Sequence, residues 1–179
     1  MERQRFETSS TRLRFRRLRA DDFMAVAAIL GDAQTMYAWQ HGFSYDEVCD
    51  WIADMLRRYR EDGCGCFAAL DRTTDELIAL AGLLHEPLAN GETGLGLIYI
   101  VRRDRWQQGY GNECAQAMLS YAFDCLHAER VVALIQPSNI PSLHVAAACG
   151  LRPVGRAVKH YQGKQLLHII CAVDRPQTE

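Results

Sequence analysis

Residues 97–112, LIYIVRRDRWQQGYGN, constrain the fold of this chain more than any other stretch. An apolar run of strand character, Leu97 to Val101, gives way to a polar turn. A Gly-x-Gly pair, Gly109 and Gly111, then opens a helical pattern from about Gly109 to Leu126. In that order, strand, glycine turn and helix start leave bare backbone for an anion to rest on. Glycine lacks the Cβ that would block the approach. The first N–H groups of a helix point outward, unpaired and partly positive. The turn is therefore expected to bind a phosphate-bearing ligand.

A chain of 179 residues is read as one domain with a substantial core, residues 1–10 forming a loose extension ahead of it. A formal charge of −2 gives no general attraction to nucleic acid or to an anionic membrane. No apolar run reaches the roughly 18 residues of a membrane span, and the charged first seven residues lack an export core. Seven cysteines in a chain too large to need staples imply free thiols and a cytoplasmic setting. Cys64 and Cys66 have no second pair at ligand spacing, so no metal is expected.

Strands and helices alternate without repeats or linkers. Arg12–Leu18 reads as a first strand, with Leu13 and Phe15 inward. Five arginines between 12 and 19 are read as the charged outer face of an edge strand rather than a nucleic-acid patch. A short helix is expected over Asp22–Leu30. A second, over Tyr45–Arg60, opens on a Ser44/Glu47 capping box and carries the stripe Val48, Trp51, Ile52, Met55, Leu56 and Tyr59. Strands follow over Cys66–Leu70, Leu77–Leu84, Leu97–Val101 and the wholly apolar Val131–Ile135. Asn139 caps a short helix stopping at Gly150, and a last hairpin, Pro153–Tyr161 and Lys164–Val173, turns at Gln162-Gly163. The order is β-α-α-β-β-β-α-β-α-β-β, an α/β or α+β domain with a mixed sheet.

Three phosphate loops compete for the glycine turn. A P-loop needs Gly-Lys and then Ser or Thr, whereas Gly111 is followed by Asn112 and Glu113. A dinucleotide fingerprint needs glycine where Cys114 stands, and it belongs in a first βαβ unit rather than past residue 100. The third is the loop of acetyl-CoA-dependent N-acyltransferases. From about Thr11 onward the chain resembles the GNAT superfamily, in particular the branch of ribosomal-protein N-terminal acetyltransferases. Three segments carry the resemblance: STRLRFR at 10–16 against T-x-R-L-x-L-R, WQQGYGNEC at 106–114 against W-G-x-G-Y-A-T-E-A, and Asn139 with Ser142 before a helix ending at Gly150-Leu151.

The resemblance implies a mostly antiparallel mixed sheet with flanking helices and two splayed parallel central strands. It implies acetyl-CoA as acyl donor, with no metal and no covalent enzyme intermediate. Gln107, Gln108, Gly109, Tyr110, Gly111 and Asn112 would receive the CoA pyrophosphate on their N–H groups. Ile100 and Val101 would pair with the pantetheine arm, and the N–H near Val101 would polarise the thioester carbonyl. Ser142 would serve the leaving thiolate, or only its own helix turn; Asn139 would reach the pantetheine, or only cap. Trp106 is read as a brace for the turn or a CoA contact. Arg102, Arg103 and Arg105 are read as attractors of the 3′-phosphate or ordinary loop charges, and Glu113 as pointing sideways onto backbone donors.

Two departures from the family pattern leave the proton chemistry open. Ala146 stands where many members have a tyrosine, seven residues after the asparagine, and Leu95-Gly96-Leu97-Ile98 lacks the usual strand glutamate. Candidate bases are His85, Glu92 and His168, or water. The acceptor is an amine, a protein N-terminus or a small molecule, with Gln34–Phe43 and His85–Gly94 on its side and Tyr37, Trp39 and Phe43 as a partly apolar wall. The chain would be a monomer or a homodimer. Two other classes stay open: a catalytically silent acyl-CoA sensor, and a cysteine hydrolase using Cys149 and His144.

Overall fold

The computed structural model describes residues 8–87 and 93–176. Its strands are β1 (Thr8–Ser9), β2 (Leu13–Arg17), β3 (Cys66–Asp71), β4 (Leu77–Pro87), β5 (Thr93–Val101), β6 (Arg130–Ile135), β7 (Arg152–Tyr161) and β8 (Lys164–Asp174). They form one sheet in the order β1-β2-β3-β4-β5-β6-β8-β7. Helices α1 (Phe23–Leu30), α2 (Tyr45–Glu61), α3 (Tyr110–Ser120) and α4 (Ile140–Ala148) flank it. Every neighbouring pair is antiparallel except β5 with β6. The mixed, mostly antiparallel α+β sheet expected of the chain is the one it forms.

The parallel pair creates the opening on which function depends. β5 and β6 are in register only at Leu95 with Val131 and Gly96 with Val132. Beyond that point β5 stays with β4, while β6 goes with β8. The two strands splay, and one edge of β5 is left without a strand partner. Its polarity follows from the ladder. Arg102 N–H donates to the Ile78 carbonyl, so Ile100 and Ile98 form the hydrogen-bonded pairs with β4. Leu97, Tyr99 and Val101 therefore turn their backbone groups the other way, into the gap.

Local chemistry sets the flanking elements. Ser44 Oγ accepts from Glu47 N–H and the Glu47 carboxylate accepts from Ser44 N–H, closing the expected capping box of α2. The α2 stripe buries Val48, Ile52, Met55 and Tyr59, each worth about 1.5–3 kcal/mol of transfer free energy. β4 is buried from Leu77 to Leu83, as a strand covered on both faces must be.

Several expectations change in detail. The loose extension read over residues 1–10 does not hold at its inner end, because Thr8–Ser9 pairs with β2 and Ser10 donates to Glu113; residues 1–7 lie outside the described set. β2 is therefore not a bare edge, and its Arg14 and Arg16 are partnered rather than repelling neighbours. Arg16 makes a two-pronged bond to Asp22 at 2.7 Å, and Arg14 pairs with Asp75. Burial works to raise the Asp22 carboxyl, but the Arg16 hydrogen bonds and the Arg19 N–H outweigh it and hold it low. The helix read through to Leu126 ends as α-helix at Ser120 and continues as a wider π turn over Tyr121–Cys125.

Candidate active site

Two clefts meet where β5 leaves β6. The larger, about 720 Å³, runs between the 106–112 turn, the start of α4 and the segment Ala33–Trp39. It is lined by Ile100, Val101, Trp106, Gln107, Gly109, Tyr110, Gly111, Asn112, Asn139 and Ser142, the expected ligand-binding residues apart from Gln108. The smaller, about 360 Å³, lies between α2, β4, β7 and β8. Both share Trp39, Tyr99, Ile100, Asn139 and Ser142.

The glycine turn is built for an anion. Gln107 (φ 60°) and Gly109 (φ 82°) adopt left-handed backbone, which turns the chain sharply into α3. Glycine takes that conformation freely, whereas a β-branched residue at the same φ would be strained. Glu113 N–H donates to the Gly109 carbonyl at 3.1 Å to start the helix. The N–H groups from Gln107 to Asn112 meet no acceptor among the described residues. Gly111 keeps an ordinary φ, and a Cβ there would touch the Tyr99 ring at 3.4 Å, so larger side chains than alanine would crowd it.

Arg12 braces this turn, a role that reading it as an outer-face charge missed. Its guanidinium donates to the Gln108 carbonyl at 3.0 Å and to Glu113 Oε2 at 2.7 Å, and lies 4.1 Å from the centre of the Tyr110 ring. Glu113 points sideways as expected, accepting from Ser10 Oγ at 2.6 Å and Arg12 N–H at 2.7 Å. Burial pushes its carboxyl up, but these bonds prevail and hold it below the ordinary value. Trp106 braces the same turn from the other side, donating its indole N–H to the Val101 carbonyl at 2.8 Å. Arg102 and Arg105 are taken up by Glu76 and Asp104, and Arg103 stands 3.7 Å from Asp32.

At the junction, Asn139 Oδ1 caps α4 by accepting from Ser142 N–H at 3.2 Å and also accepts from the Tyr37 hydroxyl. Tyr99 went unnoticed in the sequence. The alternation Leu95, Leu97, Tyr99, Val101 could have marked it, since a polar-tipped ring inside a strand needs somewhere for its hydroxyl. That hydroxyl is buried and makes no hydrogen bond of ordinary geometry, although it lies close enough to Ser142 to feel its hydroxyl. Burial pushes it up to about 12, with Ser142 opposing. Ala146 is buried in α4, so Tyr99 and Tyr37 are the tyrosines at the junction.

The proposed bases separate cleanly. His85 is exposed on β4 and lines neither cleft, because its neighbours Leu84 and Glu86 occupy the inward side of the strand. It is corrected away from the site. Glu92 lies outside the described residues. His168 is buried on β8 and lines the smaller cleft. Its Nδ1 sits 2.9 Å from the Leu166 carbonyl, which assigns the proton to Nδ1 and leaves Nε2 as an acceptor. Burial, helped by the nearby Lys159 charge, pulls its pKa down and keeps the ring neutral.

The Gln34–Phe43 segment serves both clefts: Gln34 and Tyr37 line the larger, Phe43 the smaller and Trp39 both. Cys149 is not paired with His144. Its thiol donates to Asn112 Oδ1 at 3.3 Å and is raised by burial, which removes the thiolate a hydrolase would need. All seven cysteines are free. Among the described residues no group of three or more His, Cys, Asp or Glu could hold a metal, and no helix is long and apolar enough to cross a membrane.

Known proteins are similar to this chain in sequence and in fold. Residues 12–152 match the acetyltransferase (GNAT) domain. The chain is 27% identical to the uncharacterized N-acetyltransferase YnaD of Bacillus subtilis over 82% of its own length and 83% of that protein. It is 28% identical to the uncharacterized N-acetyltransferase p20 of Bacillus licheniformis over 50% of the chain, spanning about half of that relative (49%). Among solved structures, RimL, a ribosomal L7/L12 α-N-protein acetyltransferase in complex with coenzyme A, superposes with a TM-score of 0.78 at 14% identity, covering 95% of this chain and 98% of that one. A glycine turn with free amides, a splayed parallel pair and a family match across most of the sequence converge on one assignment: the chain belongs to the GNAT acetyltransferase family.

Proposed function

We propose that this chain moves an acetyl group from acetyl-CoA to a primary amine, the larger cleft taking the donor and the smaller one the acceptor. One observation carries the reading. A run of unpartnered N–H groups, Gln107 to Asn112, opens onto a cleft that ends at the free edge of β5, where a second cleft begins. The amides would hold the pyrophosphate with the help of the α3 N-terminus. The pantetheine arm would lie along the backbone of Tyr99 and Val101, bringing the thioester to the junction. An N–H of that edge would then stabilise the oxyanion as the amine attacks.

Proton traffic follows from the same groups. The acceptor arrives as an ammonium and must lose a proton before attack. Neutral His168, with Nε2 open, takes it. The tetrahedral intermediate collapses with loss of the CoA thiolate, and a hydroxyl of Ser142 or Tyr99 supplies its proton. CoA bound to RimL, a neighbour of the same fold, supports the donor assignment. The test pairs acetyl-CoA titration calorimetry with thiol release over a panel of small amines and peptides. Binding with turnover is expected. Tight binding with no turnover on any amine would instead make the chain an acyl-CoA sensor. Within an active enzyme, His168→Gln should lower kcat at neutral pH by about a hundredfold and let it recover as pH rises.

A further inference from the structure

Four charged side chains line the smaller cleft, Asp54, Arg58, Glu86 and Lys159, and each already has a partner of opposite sign. Asp54 of α2 is held by Arg57 and by Arg58, whose Nε donates to it at 2.7 Å. The second pair spans the cleft: Lys159 Nζ of β7 donates to Glu86 Oε2 of β4 at 2.6 Å. β4 and β7 belong to opposite banks, separated in the sheet by the splayed β5 and β6.

Glu86 reaches across because of Gly96. A Cβ at Gly96 would stand 2.4 Å from Glu86 Cγ, so any larger residue would push the carboxylate aside. Both ends of the bridge stay open to exchange, with Lys159 40% and Glu86 22% exposed. His160, His168 and the aromatic rings of Trp39, Phe43 and Tyr161 share the cavity.

An acceptor that enters this cleft has to part Lys159 from Glu86. A simple ammonium would satisfy Glu86 and strand Lys159, and a charge left unpaired in a partly dry site is costly. A polyamine would do worse, since the remaining carboxylate, Asp54, is already matched by arginines. An amine that also bears an anion re-pairs both groups.

We infer that the Glu86–Lys159 bridge is the acceptor-recognition site, and that the acceptor is an amine carrying a carboxylate within a few bonds. Glu86 takes its ammonium and Lys159 its acid. An α-amino acid and a peptide with an acidic first residue share that chemistry. The inference rests on the acetyl-transfer reading above.

The experiment measures kcat/KM with acetyl-CoA for two matched pairs: phenylalanine against phenylalaninamide, and Asp-Phe-amide against Asn-Phe-amide. The wild type should favour the acidic member of at least one pair by about tenfold or more. The pair that shows the preference tells a free amino acid from a peptide. Lys159→Met should bring that ratio to about one, and Lys159→Arg should keep it. Comparing ratios between variants cancels the intrinsic basicity of each amine. Equal use of acid and amide by the wild type, or a preference surviving Lys159→Met, overturns the inference and leaves acetyl transfer intact. Failure to acetylate any amine while acetyl-CoA still binds overturns both.

Discussion

The two clefts meet at Tyr99, Ile100, Asn139 and Ser142, yet they are built by opposite means. The side proposed for the donor is main chain: among the described residues, free amides of one short turn and the open edge of one strand. Arg12, Glu113 and Trp106 hold that backbone still and leave its amides free. The side proposed for the acceptor is side chain. Its charges and rings come from α2, β4, β7, β8 and the Gln34–Phe43 segment, far apart in the chain. A ligand that never changes can be gripped by backbone, whose donors do not vary with residue type. A ligand that differs between relatives has to be read by side chains.

The sharpest way to break this contrast is at the junction, which serves both clefts. Ser142→Ala and Tyr99→Phe each remove a hydroxyl beside the expected thioester. One of them should lower kcat by about a hundredfold with little change in acetyl-CoA affinity, as loss of a general acid does. Stopped-flow and calorimetry together would check it. Losses below about threefold in both would leave Ser142 only its backbone N–H to the Asn139 cap and return Tyr99 to packing.

A substitution confined to the donor side comes next. Gly109→Val forces a β-branched residue to φ 82° in the turn that aims the amides. Acetyl-CoA binding should weaken by about tenfold or more in a chain that still melts cooperatively. Unchanged affinity would mean that the diphosphate sits elsewhere. Arg12→Ala acts on the same turn indirectly, removing its bonds to Gln108 and Glu113. A loss of about three- to tenfold in CoA affinity is expected, with any change in amine selectivity counting against the separation of the two sides.

The smallest effect on either cleft should come from Asp22→Asn, which breaks the pair with Arg16 beneath β2. Stability should fall by about 2–3 kcal/mol near neutral pH while both ligand affinities hold. The sign with pH is set by the lowered Asp22 value. Its contribution is present above the unfolded carboxyl value, about 3.9, and is lost as pH falls through the lower folded one. Urea melts should therefore show the variant converging on the wild type in acid.

The contrast also explains what could be read early. The capping box of α2, the apolar Val131–Ile135 run and the glycine turn depend on neighbours within a few residues, so spacing alone exposes them. Tyr99 was passed over because an aromatic in a strand looks like core until its hydroxyl is found without a bond. Arg12 looked like surface charge because its partners, Gln108 and Glu113, lie about a hundred residues away. His85 stands out by residue type, although strand alternation points it outward and turns its neighbour Glu86 into the cleft.

Sequence by itself determined the order of the four helices and of strands β2 to β8, and the glycine turn, because those rest on local backbone geometry and short-range periodicity; the class of donor came from the resemblance of three segments to a known family. Tertiary structure alone decided that β5 and β6 part after two residue pairs, that Gly96 lets Glu86 cross to Lys159, and that His168 lies within the cleft. Such outcomes depend on which distant strands become neighbours and at what register, and a chain settles that only by burying its whole core at once.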